Sequence, residues 1–401
     1  DIEPGDTTNY KYGIAIDLGT TTVVATLMDL NMGTPVTVKS MLNKQQPFGA
    51  DVISRISATM LDKKSLDKLS NLAKETLNEL TEQLISESQI AIAGNATMVQ
   101  LVLNIDPEPI GVAPFITVTK EFPELKASDF GIAINENAKA YVFPSFGAYV
   151  GGDIVSGVLA SGIDRDKRIR LFIDVGTNCE IVLTDGENIL ATAAPAGPAF
   201  EAASIKCGMR AAEGAIEFVK IQEQNLIIKT IGEVEPLGIC GSGLVDAVAE
   251  LARVGIIDKS GKFVEESDYQ GNCAALFKKI TINENGEKIF VLFGNKNNPL
   301  IYLSQRDVRE LQFAKAAIAT GWSLLIDELK IEPKDIQQVL LAGSFGTYLS
   351  PTSAINIGLV PKLPILRIIS AGNVAGEGSK MVLLSNNERN GVQTLLEEVK
   401  Y

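Results

Sequence analysis

The stretch IDLGTTTVV, Ile16 to Val24, places an acid, a glycine and three consecutive hydroxyls between apolar runs. Tyr12 to Ile16 before it and Val23 to Met28 after it read as two β-strands, so the polar residues occupy a hairpin tip. Asp and Gly are ordinary turn residues, and one such tip carries little weight. Its echo carries more. LFIDVGTNCEIVLT, 171–184, repeats the apolar-apolar-Asp-apolar-Gly-Thr order, with Asp174 lying 157 positions after Asp17 and a strand again following. Two such turns, each framed by strands, suggest a duplicated domain facing itself across a cleft.

Composition narrows the chemistry. A chain of 401 residues with 46% hydrophobic residues supports two or three domains. No run of 18 uncharged apolar residues occurs, and the first thirty positions lack the pattern of a secretory leader, so a cytoplasmic protein without a membrane partner is expected. Lys+Arg total 36 against 49 Asp+Glu, a net charge of -13 that argues against a nucleic-acid partner. The four cysteines, Cys179, Cys207, Cys240 and Cys273, form no CxxC pair, so neither a zinc ribbon nor a contiguous iron-sulfur loop is encoded, and they read as free thiols. Histidine is absent. That removes histidine-based nucleophile pairs, metal sites and acid-base catalysis, and leaves carboxylates, hydroxyls, lysines and backbone amides. Phosphate chemistry with a metal ion fits this inventory.

Along the chain, 1–10 reads as a linker remnant. Residues 65–86 carry leucines at helical spacing, Leu66, Leu69, Leu72, Leu77, Leu80 and Leu84, with Ser65 as cap. IAIAGNATMVQLVLN, 90–104, reads as strand, Gly-Asn turn and helix, and GGDIVSGVLASGI, 151–163, as a helix opened by two glycines. The mixed-charge run DRDKRIR, 164–170, reads as a solvated connection and a domain boundary. Two further glycine turns follow strands, in IQQVLLAGSFGTYL, 336–349, and ISAGNVAGEGSKMVLLS, 369–385. Glycine there lets backbone amides approach a ligand.

IDLGTTT, then GGDIVSGVLASGI before IDVGTN, then LLAGSFG, then AGNVAGEGSKMVL resemble, in order, the phosphate-1, connect-1, phosphate-2, adenosine and connect-2 segments of the acetate and sugar kinase, heat-shock ATPase and actin superfamily. Within it, GNATM (94–98), DVGTNCEIVL, GPAFEAASIKCGMRAAEGAI (197–216) and GICGSGLVDAVAEL (238–251) look like the reductive activators of corrinoid proteins, which use ATP to restore oxidised cobalamin to cobalt(I). Members of that family carry an N-terminal iron-sulfur domain that passes the electron. On this resemblance the iron-sulfur domain is expected outside the 401 residues, and Asp1 to Tyr10 would correspond to the linker that follows it.

The resemblance implies an α/β fold of two ribonuclease H-like domains with a nucleotide cleft between them. The first would occupy 11–166 and the second 167–401, with a C-terminal helix, 373–388, at the hinge. It implies ATP and Mg²⁺ as ligands, with Asp17 and Asp174 facing the metal, partly through water. Gly19, Thr20, Thr21 and Thr22 would hold phosphate from one side, and Gly176, Thr177 and Asn178 from the other. Asp153 stands where related proteins orient the attacking water; a plain helix N-cap is the competing reading. Gly343, Ser344 and Phe345 would lie against the adenosine, with Gly372 and Gly376 in the second hinge. Gln312 and Lys315, in 307–325, either reach the base or ribose or line a solvated helix face. Gly241 and Ser242 in GICGSGL either bind an anion at a helix N-terminus or form a plain strand-helix turn.

The function implied is an ATPase that activates a corrinoid protein, either a corrinoid iron-sulfur protein or the corrinoid subunit of a methyltransferase. A low-potential electron donor is implied as well, and homodimers are common in the family. Two enzyme alternatives share the fold: a small-molecule kinase, for which no acceptor base is visible, and an activator ATPase of an acyl-CoA dehydratase type enzyme. An interaction protein is the remaining class, and the chain after Ser385 is too short for a peptide-binding domain.

Overall fold

A computed structural model describes residues 11–401 except 83, 85–87, 136–137, 177, 203 and 347. The linker reading of 1–10 and the assignment of Thr177 therefore lie outside the described residues. The chain divides into two compact units, one of 1–167, 184–192 and 373–401, the other of 168–183 and 193–372. The division between 167 and 168 falls within the DRDKRIR run. Residues 373–401, expected with the second domain, are grouped with the first.

In the first unit the opening hairpin is β1 (Tyr12–Leu18) and β2 (Thr22–Asp29), followed by β3 (Thr34–Leu42), α1 (Val52–Leu61) and α2 (Lys64–Glu82). Then come β4 (Ser88–Gly94), α3 (Ala96–Val102), α4 (Glu108–Gly111), β5 (Leu125–Lys126), β6 (Lys139–Val142) and α5 (Gly152–Ser161). The sheet order is β3-β2-β1-β4-β6-β5, with β1 antiparallel to β2 and parallel to β4. Alternation sends Ile14, Ile16 and Leu18 of β1 to one face, where they join Leu69, Leu77 and Leu80 of α2 and Met98 and Leu101 of α3 in one core. Ser65 is buried in the first turn of α2 rather than capping it; Asp62 accepts from the Lys64 amide instead.

The second unit opens with β7 (Arg170–Asp174) and β8 (Cys179–Thr184); β9 (Ile189–Ala194) begins in the segment grouped with the first unit. A small sheet follows, β10 (Ala215–Gln222), β11 (Asn225–Thr230) and β12 (Gly238–Ile239), with α6 (Gly241–Arg253) packed on it. A second small sheet, β13 (Ile280–Ile282), β14 (Lys288–Asn295) and β15 (Asn298–Ser304), leads into α7 (Gln305–Leu329). A reciprocal capping box starts α7: Ser304 Oγ accepts from the Asp307 amide and Asp307 from the Ser304 amide. Then come β16 (Gln338–Ala342), α8 (Gly343–Gly346), α9 (Pro351–Ile357) and β17 (Ile368–Gly372), and the strands run in the order β17-β16-β7-β8.

The returning segment, α10 (Val374–Leu384), α11 (Asn386–Glu398) and β18 (Val399–Lys400), belongs to the first unit because α10 packs on β1, β4 and α5. The single terminal helix expected there is two helices, broken at Ser385, whose hydroxyl caps α11 by accepting from the Glu388 amide. Arg165, in the run read as solvated, pairs with Glu388 of α11, and Arg170 is buried at the start of β7. No described helix is long and apolar enough to cross a membrane. The fold is α/β, an actin-like arrangement in which each unit holds a mixed sheet.

Candidate functional site

The duplication seen in the D-x-G turns extends to the neighbouring strands. In the first unit Asp17 lies opposite Ala93 of parallel β4, whose strand ends in Ala93-Gly94-Asn95. In the second, Asp174 lies opposite Ala342 of parallel β16, which runs into Ala342-Gly343-Ser344. Both glycines sit at close approaches, tight at Gly94 and prohibitive for a side chain at Gly343. A Cβ on Gly94 would stand 3.1 Å from the Leu18 carbonyl oxygen, and one on Gly343, where φ is +85°, would stand 2.3 Å from Asp174 Oδ1 and 2.8 Å from the Val175 carbonyl.

The first unit brings two side chains, Asn373 and Asp153, to Asp17. Asn373 Nδ2 donates to Asp17 Oδ2 at 2.9 Å. Asp153, in the first turn of α5, is close enough for its charge to act on Asp17. Gly151 and Gly152 make this possible: a Cβ on Gly151 would lie 2.5 Å from Asn95 Cα, and one on Gly152 would lie 2.7 Å from the Phe143 carbonyl oxygen. The helix therefore begins hard against the end of β4. Gly151, not Asp153, is the N-cap of α5, and Asp153 Oδ1 accepts from the Ile154 amide at 3.0 Å.

Desolvation and the Asp153 charge push Asp17 up from 3.8 to about 7, against the lowering effect of the Asn373 amide. Desolvation raises Asp153 to about 6. Two carboxylates held this way, with no cation paired to them among the described residues, suit a divalent ion that keeps part of its water shell. Among the described residues no group of three His, Cys, Asp or Glu forms a metal cage.

The turn between β1 and β2 is held from behind. A Cβ on Gly19 would lie 2.3 Å from the Thr22 carbonyl oxygen, so the turn is tight. Asn43 Nδ2 donates to the Gly19 carbonyl at 3.0 Å, Arg55 Nη2 to the Thr20 carbonyl at 2.7 Å, and Asn95 Nδ2 to Thr20 Oγ1 at 3.0 Å. Thr20, Thr21 and Thr22 are themselves half-buried. None of Asn43, Arg55, Asn95 and Asn373 was singled out in the sequence, although GN pairs at 94–95 and 372–373 end strands and mark the last two.

In the second unit, Asp174 ends β7 beside Gly343, and Gly176 exchanges hydrogen bonds with Cys179: its amide donates to Sγ at 3.4 Å and Sγ donates to its carbonyl at 3.2 Å. Cys179 is thus a turn residue, and burial pushes its thiol well up. Asn178 is half-buried between them. Ser344 and Phe345 fall in the short α8, and their side chains lie outside the described residues. Gln312 donates to the Ser260 carbonyl at 3.2 Å and accepts from Arg309 at 2.6 Å, so its amide is spent on the 258–262 turn. Lys315 is half-buried, with Nζ 3.7 Å from where a Cβ of Gly358 would be. Gly241 and Ser242 are buried at the start of α6, with Ser242 Oγ on the Glu217 carbonyl at 3.0 Å. A Cβ on Gly243 would lie 2.1 Å from the Ile216 carbonyl, so that glycine serves helix-strand packing.

Comparisons with known proteins place the chain in a family. Residues 168–401 match the family described as the C-terminal domain of RACo, the ASKHA domain, and 12–166 match the RACo middle region. The corrinoid activation enzyme RamQ of Eubacterium limosum is 38% identical over 388 residues, covering 94% of this chain and 65% of RamQ. A Methanosarcina barkeri reductase of a Co(II) methylated-amine-specific corrinoid protein is 25% identical, covering 97% of this chain and 73% of its own. The solved structure of a reductive activator for corrinoid, iron-sulfur protein superposes with a TM-score of 0.87 at 38% identity, over 99% of this chain and 64% of the other. The chain thus spans a little under two thirds of the length of RamQ and of that activator.

Proposed function

Because the chain belongs to the RACo family, we propose that it is the ATP-binding part of a reductive activator of a corrinoid protein. In this reading ATP binding and hydrolysis are coupled to reduction of cobalt(II) to cobalt(I), with electrons from a low-potential donor by way of an iron-sulfur domain. The observation that carries the nucleotide half is the Asp17–Asp153 carboxylate pair behind a turn of hydroxyls and amides. The corrinoid half rests on the activities for which the relatives are named.

Mg²⁺, bound with ATP, would supply charge neutralisation at the phosphate oxygens, held through water by Asp17 and Asp174. In each unit the turn after the aspartate offers hydroxyls and amides suited to phosphate oxygens, from Thr20, Thr21 and Thr22 in the first and from Gly176 and Asn178 in the second. Asp153 orients a water for attack on the γ-phosphorus and takes its proton as the oxygen-phosphorus bond to ADP breaks; a carboxylate near 6 is ionised at neutral pH and basic enough for that step. Gly343 lets the backbone lie close to the nucleoside.

The test is ATP hydrolysis by this chain with and without candidate corrinoid proteins, paired with the cobalt(I) absorbance of the partner when an iron-sulfur donor is supplied. Hydrolysis stimulated by a corrinoid protein, and lost in Asp17→Asn and Asp174→Asn, supports the assignment. Phosphotransfer to a small alcohol or carboxylate, with no response to corrinoid proteins, would replace it with a kinase.

A further inference from the structure

Arg55 of α1 is fully buried, and each group it bonds is neutral. Nε donates to the Gly49 carbonyl at 3.2 Å, Nη1 to Gln45 Oε1 at 2.9 Å and to Met98 Sδ at 3.0 Å, and Nη2 to the Thr20 carbonyl at 2.7 Å. Asp51 is the acid whose charge reaches it, but that carboxylate is engaged as the cap of α1, accepting from the Ser54 amide at 2.8 Å and hydroxyl at 2.7 Å. Burial lowers Arg55 to about 10, which leaves it charged at neutral pH. An interior cation normally sits beside a carboxylate, because isolating it from water is otherwise expensive. One of its partners, the Thr20 carbonyl, lies in the half-buried turn Gly19–Thr22, which contains no basic residue.

The hydrogen bonds also set the turn's polarity. In a planar trans peptide the carbonyl and the amide of the same unit point in opposite directions. Asn43 holds the Gly19 carbonyl inward and Arg55 holds the Thr20 carbonyl inward. The Thr20 and Thr21 amides are thereby turned the other way, toward the side from which an anion would approach.

We propose that Arg55 is a positioning residue for polyphosphate: its fork fixes the turn with amides outward, and its charge, which no carboxylate hydrogen-bonds, takes the phosphates of a bound nucleotide as counter-ion. The proposal deepens the nucleotide-site reading and rests on it. It separates the phosphate turn's affinity from the nucleoside contacts, since Arg55 touches neither substrate nor base.

Calorimetric titration of the 401-residue chain with ATP, ADP and adenosine tests this, using Arg55→Met, Arg55→Lys and Gln45→Glu. Arg55→Met should bind ATP and ADP at least about tenfold more weakly, with adenosine within about twofold of the parent, and Arg55→Lys should recover part of the loss. Gln45→Glu leaves the Thr20 bond in place but sets a carboxylate against Nη1, and should weaken ADP in the same selective way. If Arg55→Met fails to fold by circular dichroism, Arg55→Lys and Gln45→Glu decide. ADP affinity unchanged in the folded variants, or equal losses for ADP and adenosine, overturns the role of Arg55 alone. No saturable binding of ATP, ADP or adenosine by the parent chain overturns the nucleotide-site reading with it.

Discussion

Asn373 joins two structural roles in one amide: its Nδ2 donates to Asp17 Oδ2 at 2.9 Å while its Oδ1 accepts from the Gly376 amide at 2.8 Å as the cap of α10. The start of a helix and the carboxylate at the end of β1 are therefore mechanically linked. Replacing Asn373 by alanine removes a cap worth about 1 kcal/mol and also the bond that holds the Asp17 pKa down. The acid limb of the ATP hydrolysis profile should move to higher pH in Asn373→Ala, with a modest fall in melting temperature. Asn373→Asp keeps a capping oxygen but adds a third acid, so its acid limb should move further. A limb that stays in place in both variants would contradict the link.

The carboxylate pair also makes stability depend on pH. Asp17 at about 7 and Asp153 at about 6 both lie above the ordinary 3.8, so the folded chain holds these protons more tightly than the unfolded chain. Their contribution to stability falls as pH rises from roughly 4 to 7, and the cost is fully expressed above 7. Asp17→Asn should therefore melt higher than the parent at pH 8, and the difference should vanish near pH 4. Scanning fluorimetry across that range checks it; a constant offset at every pH would count against the pair. Added Mg²⁺ at pH 8 should raise the parent's melting temperature more than that of the variant.

What could be read from the sequence was what repeats or alternates. The strands around Asp17 and Asp174 follow from apolar runs, and the helix in 151–163 from its opening glycines. Arg55, Asn43 and Asn373 could not be read this way, because their partners lie 35, 24 and 356 positions away and no periodicity connects them. Ser65 shows the opposite failure: a good capping residue in a plausible place lost to Asp62, which sits one turn earlier. The pairing of Ala93-Gly94 with Ala342-Gly343 was present in the sequence as IAIAGN and VLLAGS, yet it acquires meaning only once β4 and β16 are seen to lie in equivalent registers beside β1 and β7.

Gly343 gives a local test in the second unit. Its φ of +85° is unfavourable for any side chain, and a Cβ would press on Asp174 Oδ1 at 2.3 Å. Gly343→Ala must shift either the turn or the carboxylate, and a displacement of about 1 Å at a reacting group can cost on the order of 10²-fold in rate. The expected result is ATP hydrolysis reduced by about that factor with a far smaller change in far-ultraviolet circular dichroism. Full activity in a folded Gly343→Ala would remove Asp174 from the phosphate chemistry.

The crossing of α5 and α10 carries the last prediction. A Cβ on Gly378 would stand 2.3 Å from both the carbonyl oxygen and the hydroxyl of Ser156, whose Oγ in turn donates to the Ala375 carbonyl at 2.7 Å. Gly378→Ala overpacks this crossing, at a cost of about 1–3 kcal/mol. A fall in melting temperature of roughly 2–10 °C should follow for a unit of this size. Because α5 carries Asp153 and α10 begins at Asn373, wedging the helices apart also separates the two groups that converge on Asp17. Hydrolysis should then fall beyond what the lost stability explains when measured well below the melting temperature. Adding Ser156→Ala removes the hydroxyl clash but leaves the carbonyl, so the double variant should regain only part of both losses. Complete recovery would place the strain in the hydroxyl alone and leave the backbone contact without consequence.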